Sequence, residues 1–126
     1  PINTRFKHEE LEYILRQSDS SALILQDRLP KADFLDMLER VCPELPAFPP
    51  GNLRSSRLPA LKTVIAVSSR KIPGAYSYGD LFQMGREIDL KPIEEAVRPP
   101  QKVSILYTSG STAFPKGVML THNNIL

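Results

Sequence analysis

Val103-Ser104-Ile105-Leu106-Tyr107, then Thr108-Ser109-Gly110-Ser111-Thr112-Ala113-Phe114-Pro115-Lys116-Gly117, then Val118-Met119-Leu120-Thr121-His122: this stretch decides how the chain reads. An apolar, β-branched run enters, a segment dense in hydroxyls and glycine follows, and a second apolar run leaves. The pattern predicts strands over Val103–Tyr107 and Gly117–Leu120 with a loop between them. Such a loop suits polyphosphate. Gly110 lets backbone N–H groups approach an anion, Ser109, Ser111 and Thr112 add hydroxyl donors, and Lys116 supplies positive charge. Composition alone favours an ordinary surface turn, since serine, threonine, glycine and proline fill most of them.

The order of the residues is more informative than their kind. The P-loop of nucleotide hydrolases needs glycine directly before its lysine and a hydroxyl residue directly after, whereas here Pro115 precedes Lys116 and Gly117 follows. Tyr107 to Gly117, with Thr121-His122 after it, resembles instead the phosphate-binding loop of the adenylate-forming superfamily, which includes acyl-CoA synthetases, peptide-synthetase adenylation domains and luciferases. The match holds at every specified position except Ala113, where that family has glycine. Asn3-Thr4-Arg5, followed by Glu9-Glu10-Leu11 and Ile14-Leu15, also resembles acyl-CoA synthetases in the family's order.

The remaining sequence is compatible with one part of an α/β domain. Leu11, Ile14 and Leu15 share a face and Glu9 and Glu10 sit where negative charge favours a helix start, so a helix is expected from Lys7 to Gln17, broken by Ser18-Asp19-Ser20-Ser21. Ala22 to Gln26 reads as a strand buried on both faces. Asp33 caps a helix carrying Phe34, Leu35, Leu38 and Val41 and stopped by Pro43. Leu61 to Val67 reads as a second strand, giving a parallel βαβ unit with a right-handed crossover. Leu45 to Arg57 reads as an irregular loop covered by other parts of a parent protein. Ser68 to Tyr78 is a turn-rich link, Asp80 to Ile88 a short helix with Leu81, Met84 and Ile88 inward, and Ile93 to Val97 one helical turn. Thr121 or Asn123 caps a last helix.

The fold class expected is therefore α/β, a fragment of a larger domain, with a parallel βαβ unit plus a strand-loop-strand phosphate-binding element. A start without methionine, a stop in the first turn of a helix and twelve prolines fit residues 1–126 being part of an N-terminal AMP-binding domain whose C-terminal domain lies elsewhere. Sixteen basic and fourteen acidic side chains leave a net charge of +2, with no basic run to suggest a nucleic-acid groove. Cys42 is alone, which excludes an internal disulfide and a cysteine metal cluster and points to a reducing, cytoplasmic setting. No segment has the length and apolarity of a membrane span.

The resemblance implies an ATP-dependent acid–CoA ligase that joins a carboxylic, fatty-type acid to ATP, releases pyrophosphate, and passes the acyl group to coenzyme A. It implies that Thr108, Ser109, Gly110, Ser111 and Thr112 donate hydrogen bonds to the phosphates, with Thr112 the foremost contact. Lys116 then adds charge or holds the loop against its base. His122 resembles a position beside the acyl pocket, and equally a local capping or packing residue. Tyr107 reads as packing, and Phe114 as either packing the loop or exposed at its tip. The adenine and ribose contacts, the Mg2+ ligand and the catalytic lysine of the family are expected outside these residues, so the chain by itself should be catalytically silent. A carrier-protein-loading adenylation domain and a non-catalytic nucleotide-binding module are the alternatives, the latter because of Ala113.

Overall fold

A computed structural model describes residues 1–30, 32–108 and 114–125. Helix α1 covers His8–Gln17. Its first turn is closed by Glu10, whose carboxylate accepts the Lys7 backbone N–H at 2.9 Å. It ends where Asp19 takes a left-handed φ of +49° and the Ser20 N–H turns back to the Leu15 carbonyl at 3.1 Å. Ile14 and Leu15 are buried, so the apolar stripe seen in the sequence is the face set on the core.

Strand β1 (Ala22–Gln26) pairs in parallel with β4 (Thr63–Val67), Ala22 opposite Thr63 through Gln26 opposite Val67. Between them lie a two-residue hairpin, β2 (Arg28–Leu29) with β3 (Ala32–Asp33), and helix α2 (Phe34–Val41). Asp33 caps α2 as expected, accepting the Asp36 N–H at 3.0 Å. The crossover is anchored at the carboxyl ends of the strands by Asp27. Its backbone N–H reaches the Val67 carbonyl at 3.3 Å, its own carbonyl accepts from Phe34 and Leu35, and its carboxylate accepts the Ser68 hydroxyl at 2.8 Å. That hydroxyl bond is the chief reason the Asp27 carboxyl titrates below its ordinary range.

Burial corrects the reading of β1. Leu23 and Leu25 lie against the core, but Ala22, Ile24 and Gln26 are exposed, Ile24 by 63%. The helices cover one face of the strand and, among the described residues, nothing covers the other. The consecutive apolar run that does mean burial on both faces belongs to β4, where Val64, Ile65 and Ala66 are all buried. β4 is the central strand, because β5 (Tyr76–Ser77) pairs with its other edge, also in parallel. β5 falls within the stretch read as a link. Its two residues are too few for a periodic signal, and the sheet edge rather than the local sequence makes them a strand.

The proline-rich segment from Leu45 to Arg57 is irregular apart from a 3-10 turn at Leu45–Ala47, yet it is not a loop awaiting cover. Leu45 and Leu53 are buried and join Leu15, Leu38, Val41, Cys42, Leu58, Leu61 and Val64 in one core. Ser55 is buried with them and satisfied by accepting the Leu58 N–H at 3.1 Å. Ile72-Pro73-Gly74-Ala75 makes a tight turn against this segment, with Ala75 N–H on the Ile72 carbonyl at 3.2 Å. Gly74 has φ +81°, and a Cβ there would lie 2.1 Å from the Leu45 carbonyl oxygen, so glycine is needed twice over.

Helix α3 (Tyr78–Gly85) starts earlier than expected, because Ser77 accepts the Asp80 N–H while the Asp80 carboxylate accepts the Ser77 N–H. The same exchange holds the Asp80 carboxyl below its usual range. The helix buries no residue: Leu81 is half-buried, while Met84 and Ile88, expected inward, are more than half exposed, and nothing among the described residues covers them. Helix α4 (Lys91–Ala96) is likewise exposed. The last elements are β6 (Lys102–Thr108) and β7 (Lys116–Thr121), paired antiparallel, and a 3-10 turn at His122–Asn124 whose Asn124 side chain accepts the Thr121 N–H at 2.9 Å. Thr121 is thus the cap.

Candidate phosphate-binding site

The hairpin places the two outermost members of the motif side by side. Register runs Ile105 to Met119, Leu106 to Val118, Tyr107 to Gly117, and closes with Thr108 opposite Lys116. Thr108 and Lys116 are both exposed, the Thr108 hydroxyl lying 3.4 Å from the Lys116 carbonyl. The last ladder pair before residues 109–113 thus carries one hydroxyl side chain and one ammonium side chain. Ser109, Gly110, Ser111, Thr112 and Ala113 lie outside the described residues. Of the six residues read as phosphate contacts, the structure brings together Thr108 and Lys116.

Glycine at 117 is required by closeness. A Cβ there would meet Ile105 Cγ2 at 2.9 Å and the Tyr107 ring at 3.2 and 3.3 Å. The hairpin thereby seats the Tyr107 ring across the glycine opposite it, and the Tyr107 hydroxyl reaches Gln17 Oε1 at the end of α1. Partial burial raises the Tyr107 pKa above the ordinary tyrosine value, with the nearby Ser18 hydroxyl working the other way. On the other side of the loop Pro115 is buried, and the Phe114 ring stacks on Tyr13 of α1, centroids 4.7 Å apart and planes 25° off parallel. Phe114 is also half exposed, so both readings of it hold in part. Tyr107 is packed against Gly117 and tied to α1, the placement a packing role requires.

Tyr13 and Gln17 were not legible as site residues. They stand four apart on α1, one turn along a single face, but what they touch is 90 residues away in sequence for Gln17 and further still for Tyr13, and no local pattern announces it. His122 is half-buried in the closing 3-10 turn, and its backbone N–H binds the Gln101 carbonyl at 3.1 Å. Among the described residues no group of three histidine, cysteine, aspartate or glutamate side chains is placed to hold a metal ion. An apolar cavity of about 430 Å3, lined by Ile2, Phe6, Leu11, Leu23, Leu25 and Met37 among others, shares no residue with the hairpin. No helix among the described residues is long and apolar enough to cross a membrane.

Comparison with known proteins agrees with this geometry. The model of the AMP-binding enzyme family matches residues 1–126. The Bacillus subtilis protein named "Putative acyl-CoA synthetase YngI" is 38% identical over 128 residues, which is 99% of this chain and 23% of that protein. The mitochondrial medium-chain acyl-CoA ligase ACSF2 of Danio rerio is 34% identical over 128 residues, 99% of this chain and 21% of the relative. A crystal structure of the anthranilate CoA ligase AuaEII in complex with anthranoyl-AMP superimposes with a TM-score of 0.71 at 25% identity, over 98% of this chain and 20% of that one. The chain thus spans about a fifth of the length of the proteins it matches. With a parallel β1–β4 pair, an antiparallel β6–β7 hairpin and a family match from end to end, the chain belongs to the AMP-binding enzyme family.

Proposed function

We propose that the chain is part of the N-terminal AMP-binding domain of an ATP-dependent acid–CoA ligase and supplies its grip on the ATP polyphosphate. The observation that carries this is the closing pair Thr108 and Lys116, exposed side by side at the mouth of a loop whose sequence is Ser109-Gly110-Ser111-Thr112. The substrate carboxylate attacks the α-phosphorus of ATP, the bond to the leaving pyrophosphate breaks, and an acyl-adenylate forms. The thiol of coenzyme A then attacks the acyl carbon and AMP departs. The leaving group is a polyanion, so donors aimed at its oxygens favour the step. Thr108, Ser109, Ser111 and Thr112 give hydroxyl or backbone N–H bonds, Gly110 lets the backbone approach, and Lys116 brings charge. Magnesium enters as the counter-ion of ATP, and no residue of this chain is assigned to it.

The names of the sequence relatives support a fatty acid of medium length, whereas the structural neighbour acts on an aromatic acid, so the assay must span both. Cytoplasmic residence is proposed from the single, buried Cys42. The ACSF2 relatives are named as mitochondrial, and cell fractionation decides between the two. The test is pyrophosphate release by the full-length protein carrying this chain, across aliphatic and aromatic acids, with and without coenzyme A. Acid-dependent release and acyl-CoA formation are expected, and Lys116→Ala raises the KM for ATP roughly 10- to 100-fold, as befits charge-assisted hydrogen bonds. No release with any acid overturns the proposal. Transfer to a carrier protein instead of coenzyme A replaces it with an adenylation domain, and ATP binding without turnover with a non-catalytic module.

A further inference from the structure

The two sides of the loop mouth are tied to the same helix. On the side where the chain enters, the Tyr107 hydroxyl donates to Gln17, and on the side where it leaves, the Phe114 ring lies on Tyr13. Tyr13 and Gln17 are one turn apart on α1. The helix is itself fixed in two other directions. Ile14 and Leu15 are sunk in the core, and the Glu12 carboxylate takes both Arg57 guanidinium Nε and Nη2, while Arg57 Nη1 also donates to the Arg40 carbonyl at 2.8 Å. Glu12 is mostly shielded, so this pair is better held than a fully solvated one.

We propose that Tyr13 and Gln17 are positioning residues for nucleotide binding: α1 holds the ends of the phosphate loop, chiefly through the Tyr13–Phe114 stack, at the separation that bound polyphosphate requires. Without these two ties the hairpin end, closed by its last ladder pair Thr108 with Lys116 and by the buried Pro115, opens more readily, as hairpin ends do. A frayed mouth lowers ATP affinity, because the ordering then has to come from binding. Tyr107 and Phe114, which these two residues touch, are not among the residues read as phosphate contacts, so the acid's KM is expected to change little.

Resting on the ATP-binding reading for its kinetic arm, the test uses the full-length protein with Tyr13→Ala, Phe114→Ala, the double variant and Tyr13→Phe. Each single alanine is expected to raise the KM for ATP about five-fold, the factor that an aromatic pair's stabilisation corresponds to. The acid's KM and kcat stay within about two-fold. Because one stack is broken either way, the double variant is no worse than a single one. Tyr13→Phe keeps the ring and returns the wild-type value. A second arm needs no turnover: limited trypsin cleavage after Lys116, followed by mass spectrometry, is expected to quicken in both alanine variants and to return to normal in Tyr13→Phe. Unchanged KM for ATP, multiplicative effects in the double variant, or unchanged cleavage would each overturn the proposal. Should the wild-type protein release no pyrophosphate with any acid, the ligase reading fails alone, and the cleavage rates still decide whether α1 holds the loop.

Discussion

Replacing Gly117 by alanine tests how the hairpin carries the loop. The added methyl meets Ile105 Cγ2 at 2.9 Å and two atoms of the Tyr107 ring at 3.2 and 3.3 Å, on the strand facing it. Ile105 is β-branched and stiff at χ1, so it cannot swing far. Tyr107 can retreat only by tilting its ring, which draws its hydroxyl off Gln17. Overfilling a packed contact costs about 1–3 kcal/mol, and a lost hydrogen bond about 0.5–1.5 kcal/mol. Alanine recovers about 0.5–1 kcal/mol through reduced backbone freedom in the unfolded chain. The net is a loss of about 0.5–4 kcal/mol, localised to the β6–β7 pairing. Hydrogen exchange of the peptide spanning residues 102–121 in the full-length protein reads that quantity directly, since local opening sets the rate. Exchange is expected to quicken roughly 2- to 900-fold. Rates within a factor of two of wild type would show that Ile105 and Tyr107 yield without cost, and would refute the claim that glycine is there for closeness.

Gly74→Ala faces both a φ of +81° and a backbone oxygen 2.1 Å from the new Cβ, so we expect a loss above about 3 kcal/mol and little soluble protein. Gly85→Ala has nothing within 4 Å and should leave thermal stability unchanged or raise it by up to about 1 kcal/mol. Ala113→Gly restores the residue common to the resembled loop and is expected to tighten ATP binding in the full-length protein, measured by calorimetry; unchanged affinity counts against it. Tyr107 favours its neutral form in the folded state because burial raises its pKa above 10.0. Its contribution is therefore complete below that value and is lost as pH rises through the raised one. A tyrosinate absorbance titration of wild type against Tyr107→Phe should show one residue ionising late.

The parallel βαβ unit was readable because each of its parts carries a local cause. The β-branched run Thr63–Val67, the Asp33 cap and the stop at Pro43 act within a few residues of where they are written. Failures occurred where the cause lies elsewhere in the chain. Ala22–Gln26 and Thr63–Val67 look alike as apolar runs, but only the second sits between two neighbours, and the first shows one face to solvent. Leu53 and Ser55 are buried within a proline-rich segment because their neighbours leave a space that fits them, which no period of two or 3.6 can express. α3 has its helix period and its cap, and still buries nothing. The motif is written in adjacent residues and could be read from them, whereas the α1 side chains that touch its flanks could not.

That asymmetry has a physical origin. A loop that grips phosphate needs glycine and hydroxyls in a given order, so its chemistry is written in adjacent residues. Holding such a loop needs only a ring to lie against a ring and an acceptor within reach of a hydroxyl, which many side chains on many elements can supply. Tyr13 and Gln17 meet these loose requirements from a helix whose other residues are committed to the core through Leu15 and to Arg57 through Glu12. α1 touches the core and the hairpin at once, through Ile14 and Leu15 on one side and Tyr13 and Gln17 on the other. Strain introduced around Leu15 or Arg57 should then reach the nucleotide site without any residue of the motif being changed.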